Sequence, residues 1–318
     1  MILQLQGLTK HYAGRHGVVR AVQDVSLDVP ERGSLALVGE SGCGKTTLTR
    51  LALLLERPTA GRILFEGQDV AALSGAALKA FRRGVGAVFQ DPYASLNPRM
   101  RIGAIIAEPI LAHGRPGTAA LQARVQEMLA IVGLPPDAAR LYPHEFSGGQ
   151  RQRVAIARAL ALRPRLRGLD EPVSALDVSI RAQVLNLLAD LQEEFGLSYL
   201  TIAHDLALVE HFSSTIAVIY LGRVVESGPT DAVFAAPAHP YTRALLAAVP
   251  HPDPDRPVPE QAALGEVGSA MALPPGCAFH PRCPRAMPVC SAALPSARAA
   301  GDGHLASCHL LPETGTAA

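Results

Sequence analysis

The sequence predicts an α/β fold: a parallel-sheet core with an antiparallel β subdomain, an inserted helical subdomain and a C-terminal extension. Three observations lead there. Short apolar runs alternate with helical patterns along much of the chain, the signature of a parallel sheet with helices on both faces. From about residue 91 to 142 the pattern is mainly helical. Beyond about Pro250, periodicity gives way to proline, alanine and glycine. At 318 residues and 48% hydrophobic, one large domain with an appendage fits better than two equal domains. The expected division is residues 1–250 for the main domain, with its helical subdomain at about 91–160, and 251–318 for the extension.

The elements follow in order. Residues 2–6 and Val25–Val29 alternate apolar and polar side chains and read as half-buried antiparallel strands. Leu35–Val38 is a continuous apolar run ending in a glycine-rich turn, as for a strand buried on both faces. A helix is expected from Lys45, with Leu48, Leu51, Leu54 and Leu55 on one side. Ile63–Phe65 and Val85–Phe89 read as strands, the second ending at Gln90. Gly114–Gly117 and Pro135–Pro136 break the helical stretch. Then come a helix from Ser147, a strand to Leu169, and a helix over Val178–Phe195 with Asp177 as its N-cap. A strand at Ser198–Ala203 and a hairpin joining Ile216–Tyr220 to Arg223–Glu226 close the series. No internal repeat is visible. The extension lacks the periodicity to build much core of its own and needs another tether.

Bulk properties exclude several classes. A net charge of +1 gives no global field for nucleic acid. No apolar run approaches the ~20 residues that span a bilayer. The start, MILQLQGLTK, has no basic segment followed by an apolar core, so a cytosolic location is expected, with a membrane partner still open. Five cysteines in a reducing compartment point to metal or redox chemistry rather than disulfides.

The chemistry begins at Gly39-Glu40-Ser41-Gly42-Cys43-Gly44-Lys45-Thr46, which fits the pattern G-x-x-x-x-G-K-[ST] without gaps. Its glycines let backbone N–H groups turn toward phosphates, and the following helix offers a positive N-terminus. Lys45 is expected to reach the β and γ phosphates, and the Thr46 hydroxyl to ligate Mg²⁺. Gln90, the pair Asp170-Glu171, and His204 also follow apolar strands directly. Ligands of open parallel sheets lie outside the carboxyl ends of the strands, so these groups are expected to converge. Asp170 is placed to hold Mg²⁺, Glu171 to orient or deprotonate the attacking water, and His204 to contact the γ-phosphate. Ser147-Gly148-Gly149-Gln150 is a second glycine turn opening a helix, hence a second anion site. One nucleotide in one domain does not need two such turns. Two copies arranged head to tail do. Arg151, Arg153 and Arg158 read as solvated helix-face charges.

Taken together, Gly39–Thr46, Gln90, Phe146–Gln150, Asp170-Glu171, Ser174–Asp177 and His204 resemble the motifs of the ABC ATPase family, in family order and spacing. The resemblance implies a P-loop NTPase of ABC type that binds ATP and Mg²⁺ and hydrolyses ATP. It implies that Tyr12 stacks on adenine, that Thr47 and Gln90 join the nucleotide and magnesium site, and that Asp177 communicates across a dimer. Val88–Arg99, His239–Leu246 and Pro274–Pro284 resemble the peptide-importer branch, most closely the second ATPase subunit of dipeptide permeases. That branch implies two transmembrane permease subunits, a sister ATPase subunit or second copy, an extracytoplasmic peptide-binding protein and no nucleic acid. It places the chain peripherally at the cytoplasmic face of the inner membrane. Gln90 and the helical segment would then pass ATP-driven closure to a permease loop. The alternatives are a soluble ABC ATPase acting on nucleic acid or ribosomes, and import of another solute such as nickel.

Two features stand apart. Leu166-Arg167-Gly168-Leu169 puts an arginine and a glycine where a central strand is usually apolar. Arg167 is expected to find a carboxylate or to snorkel at the strand's edge, or else to weaken the site. Cys277, Cys283, Cys290 and Cys308 supply four thiols that could hold Zn²⁺ or a [4Fe–4S] cluster. Their gaps are wider than zinc knuckles, and the resemblance to peptide importers favours the iron–sulfur cluster. Cys43 reads as a small residue of the phosphate loop.

Overall fold

The computed structural model describes residues 1–14, 17–174, 176–203, 205–249 and 268–312. The strands, in chain order, are β1 (Leu3–Gly14), β2 (Gly17–Val29), β3 (Ser34–Val38), β4 (Ala60–Phe65), β5 (Gln68–Asp69) and β6 (Val85–Val88). They continue as β7 (Leu166–Asp170), β8 (Ser198–Ile202), β9 (Thr215–Tyr220), β10 (Arg223–Pro229), β11 (Ala297–Gly301) and β12 (His304–Ser307). The chain divides into two compact units. One comprises Leu3–Asp28, Ser34–Ala71 and Ile202–Ala318, and the other Met1–Ile2, Val29–Gly33 and Ala72–Thr201.

The first unit holds an antiparallel sheet in the order β2-β1-β4-β5, with Leu3 opposite Phe65 and Leu5 opposite Ile63. Leu3, Leu5 and Ile63 are buried, so the alternation expected for the first strand sets its register. The same unit carries the strand order β11-β12-β10-β9-β3. β3 runs parallel to β9, and β9, β10, β12 and β11 pair antiparallel in turn. All five residues of β3 are buried, as its continuous apolar run requires.

The C-terminal extension is more integrated than its composition suggested. β12 lies along β10 with Glu226 opposite Ala306 and Ser227 opposite Leu305. Phe279 is only 1% exposed and packs with its ring centroid 5.3 Å from those of both Tyr220 and Tyr241. One aromatic anchor and one hairpin do what periodic burial could not.

The second unit contains the strand order β8-β7-β6 and most of the helices. β6 and β7 are parallel, with Gly86 opposite Arg167 and Val88 opposite Leu169. Helices cover Ile102–His113, Thr118–Ile131, Gly148–Leu160 and Val178–Phe195. The last has the expected bounds. It ends at Gly196, whose φ of 59° is the left-handed conformation that glycine adopts without steric cost.

Arg167 does neither of the things expected of a stable buried arginine. It is wholly buried, and among the described residues none of its nitrogens has a hydrogen-bond partner of good geometry. Its electrostatic neighbour is the Tyr199 phenol rather than a carboxylate, and burial pulls its pKa down to about 10. The charged triad Arg151, Arg153 and Arg158 is also not solvated as read. Arg151 Nε donates to Pro143 O at 2.6 Å, Arg153 Nη1 to Val132 O at 2.8 Å and Arg158 Nη1 to Ser95 O at 2.6 Å. These guanidiniums satisfy carbonyls at loop and helix ends inside the helical unit. They are structural ties.

Candidate nucleotide site

The phosphate loop leaves β3 and enters the helix Lys45–Ala52. Its first and third glycines are fixed by close approach. A Cβ on Gly39 would stand 2.2 Å from Ile219 O, and one on Gly44 would stand 2.2 Å from Ala21 O. Both have positive φ, 147° and 109°, so only glycine fits. Lys45 is buried, and its Nζ donates to Gly39 O at 2.7 Å and Glu40 O at 2.9 Å. The ammonium is thereby held inside the curl of the loop. Ser41, Gly42 and Thr46 are exposed, and Cys43 is buried beside Lys45, its thiol pushed up by that burial. Thr47 touches Tyr12, whose hydroxyl donates to Glu56 and whose ring carries Lys10 Nζ 5.0 Å from its centroid.

In the other unit, Gln90 Nε2 donates to Glu171 Oε2 at 2.6 Å. The bond joins residues 81 positions apart, one after β6 and one after β7. Parallel pairing of those strands in matched register brings their carboxyl ends together. Glu171 has φ of 46°, a left-handed backbone uncommon for a residue with a side chain. Such conformations cost on the order of 1–3 kcal/mol and cluster at functional sites. Asp170 ends β7 one residue earlier, half-buried.

Ser147 opens the helix Gly148–Leu160 with a reciprocal capping box. Gln150 N donates to Ser147 Oγ at 3.3 Å, and Ser147 N donates to Gln150 Oε1 at 3.0 Å. Gly148 is half-buried. Gly149 lets the helix Val178–Phe195 come close, since a Cβ there would stand 2.5 Å from Ile180 Cγ2. Asp177 occupies the N-cap position of that helix, but its side chain makes no capping hydrogen bond. His204 lies outside the described residues.

Sequence reasoning missed the residues that tie the helix Pro240–Ala247 and the extension to the phosphate loop and to β10. Tyr241 Oη accepts from Glu40 N at 2.8 Å, and Arg282 grips the Glu40 carboxylate with both terminal nitrogens at 2.7 Å. Buried Glu226 accepts from Ala238 N, His239 N and His304 Nε2. These partners are up to 242 residues apart, and no local pattern announces them.

The four thiols of the extension gather in one region. Cys277 N donates to Cys290 O at 2.8 Å. Burial raises the Cys277 thiol, and the neighbouring Cys290, Cys308 and Cys283 raise it further. Four thiols suit a soft metal centre in donor chemistry. Among the described residues, however, no three potential ligands stand within reach of a common ion.

Comparison with known proteins agrees with this geometry. Residues 22–174 match the family described as ABC transporter, and residues 225–290 match the oligopeptide/dipeptide transporter C-terminal region. The chain is 52% identical to the probable peptide ABC transporter ATP-binding protein y4tS of Sinorhizobium fredii, over 97% of this chain and 90% of that one. It is 47% identical to the oligopeptide transport ATP-binding protein AppF of Bacillus subtilis, over 97% of both. Identity to the di/tripeptide transport ATP-binding protein DppF of Pseudomonas aeruginosa is 46%, again over 97% of both. Among solved structures, the ATP-binding cassette MJ0796, in a dimeric post-hydrolysis state bound to ADP and Pi, superposes with a TM-score of 0.65. It is 29% identical, over 72% of this chain and 98% of that one. With phosphate loop, strand-end carboxylates and C-terminal region all matched, the chain belongs to the ATP-binding, ATP-hydrolysing subunits of ABC transporters, in the group bearing the oligopeptide/dipeptide C-terminal region.

Proposed function

We propose that this chain energises the import of dipeptides or oligopeptides, hydrolysing ATP at the cytoplasmic face of a membrane whose permease subunits it drives. The observation that carries this reading is the Gln90–Glu171 hydrogen bond. It joins the residue at the entrance to the helical segment directly to the carboxylate proposed as general base. A permease loop that moves the helical segment can therefore reposition the base.

In this reading Lys45 and the loop Gly39–Thr47 take the phosphates, and Tyr12 takes the adenine. Thr46, Gln90 and Asp170 supply hard oxygen donors suited to Mg²⁺, which would neutralise charge on the β and γ phosphates. Gln90 donates through its amide nitrogen, so its amide oxygen is the atom left to ligate. Glu171 takes a proton from the attacking water, and His204 holds that water against the γ-phosphate. Ser147, Gly148, Gly149 and Gln150 of a second subunit, sister or copy, close over the same phosphate, with Asp177 at the junction. Residues 1–250 form the motor and 251–318 its extension. Two permease subunits and an extracytoplasmic peptide-binding protein complete the system.

The donor chemistry of Cys277, Cys283, Cys290 and Cys308, four thiols in one extension, supports a [4Fe–4S] cluster there, with Zn²⁺ as the alternative. Anaerobic purification followed by iron, sulfide and zinc analysis decides between them. Metal-free protein with four freely titrating thiols ends that part of the proposal.

The test of the motor is Glu171→Gln in the assembled transporter. It should retain MgATP binding and lose about 10²–10⁴ in turnover. The wild-type complex should co-purify with two permease subunits and show peptide-stimulated hydrolysis. Unchanged turnover in the variant removes Glu171 from the mechanism, and absence of peptide stimulation removes the transport assignment.

A further inference from the structure

The phosphate loop contains an acidic residue at its second position. A carboxylate beside a polyphosphate is a like-charge contact that weakens binding unless it is neutralised. Glu40 is neutralised, and by the C-terminal extension. Arg282 Nη1 donates to Glu40 Oε2 and Nη2 to Oε1, both at 2.7 Å. This is the two-pronged geometry in which arginine binds carboxylates most strongly. The Arg282 side chain is 8% exposed and that of Glu40 24%. The guanidinium lies 5.6 Å from the Tyr220 ring centroid and 5.9 Å from that of Phe279, and Nη1 also reaches Tyr220 Oη at 3.2 Å. The backbone of Glu40 is held as well. Its N–H donates to Tyr241 Oη, and its carbonyl accepts from Lys45 Nζ.

We propose that Arg282 is a positioning residue for nucleotide binding: by neutralising and clamping Glu40, it makes the C-terminal extension a working part of the phosphate loop. Lysine cannot reproduce the fork, because its single ammonium is a point charge. The Tyr220 and Phe279 rings hold the guanidinium against Glu40, so the clamp is preorganised. The proposal rests on the reading of Lys45 as the phosphate contact.

The experiment measures MgATP affinity of the full-length protein by calorimetry, alongside steady-state hydrolysis. Lys45→Ala tests the underlying reading: if it leaves affinity intact, the phosphate-loop assignment fails. Arg282→Ala tests the clamp, with affinity expected to fall about tenfold, KM to rise in step and kcat to change less than threefold. Arg282→Lys should recover less than half of the loss. Glu40→Gln added to Arg282→Ala should recover most of it, because the uncompensated charge is gone. Arg282→Met keeps the stem against the rings and replaces Arg282→Ala if the latter does not fold. Unchanged affinity in the arginine variants overturns the proposal. So does a double variant as weak as Arg282→Ala alone, which would assign the effect to packing.

Discussion

His304 Nε2 lies 2.7 Å from Glu226 Oε1 across the pairing of β12 with β10, both side chains buried. Glu226 also accepts from the backbone at Ala238 and His239, so one carboxylate gathers the hairpin, the helix Pro240–Ala247 and the extension. Replacing His304 with alanine removes one charge-assisted bond and should cost about 1.5–3 kcal/mol. Glu226→Ala strips three donors at once and should cost more, about 3–5 kcal/mol. Urea unfolding of the two variants checks the order.

His239 is buried, and burial holds its pKa down at about 4. Its Nδ1 accepts from Tyr241 N at 3.0 Å, a bond that protonation of Nδ1 would break. The unfolded state, near 6.5, therefore binds more protons between pH 6.5 and 4 than the folded state does. The contribution of His239 to stability is fully present above pH 6.5 and is lost as pH drops to about 4, by up to roughly 3 kcal/mol. His239→Asn keeps an acceptor at the cap and does not titrate. Its unfolding free energy should vary less across that window.

Among the described residues Arg167, in β7, has no carboxylate partner. A buried charge lacking a partner is a cost at neutral pH, and well-packed apolar replacements of buried charges often stabilise by about 1–4 kcal/mol. Arg167→Met should therefore raise the denaturation midpoint. A lower midpoint would show that the guanidinium is compensated.

Gly149→Ala should do the opposite. The added methyl would stand 2.5 Å from Ile180 Cγ2 and must push the two helices apart, costing about 1–3 kcal/mol. Because the same turn is proposed to close over the partner's nucleotide, hydrolysis should fall further than the thermal midpoint alone explains. Parallel thermal melts and ATPase assays separate the two effects.

The parts of the molecule legible in advance were those with short-range rules. The helix Val178–Phe195 and the hairpin around Leu221-Gly222 follow from periodicity and turn chemistry, and the phosphate loop from spacing. Asp177 holds its place at a helix start but not its hydrogen bond, because position alone does not orient a side chain. Arg151, Arg153 and Arg158 read as solvated in the sequence because charge on a helix face looks the same whether water or a distant carbonyl receives it. Pro143, Val132 and Ser95 lie 8, 21 and 63 residues away. The extension was underestimated because a lone aromatic such as Phe279 leaves no periodic trace. Glu40 and Arg282 are separated by most of the chain, and only the fold introduces them.

The pairing of β12 along β10 also guards the protein against itself. An uncovered strand edge offers a row of unpaired N–H and C=O groups that other molecules can extend into a growing sheet. A protease that clipped away the β11–β12 hairpin would uncover β10 and turn a dispersed protein into one prone to aggregate. Preparations that cloud on storage should therefore be checked first for a shortened C-terminus.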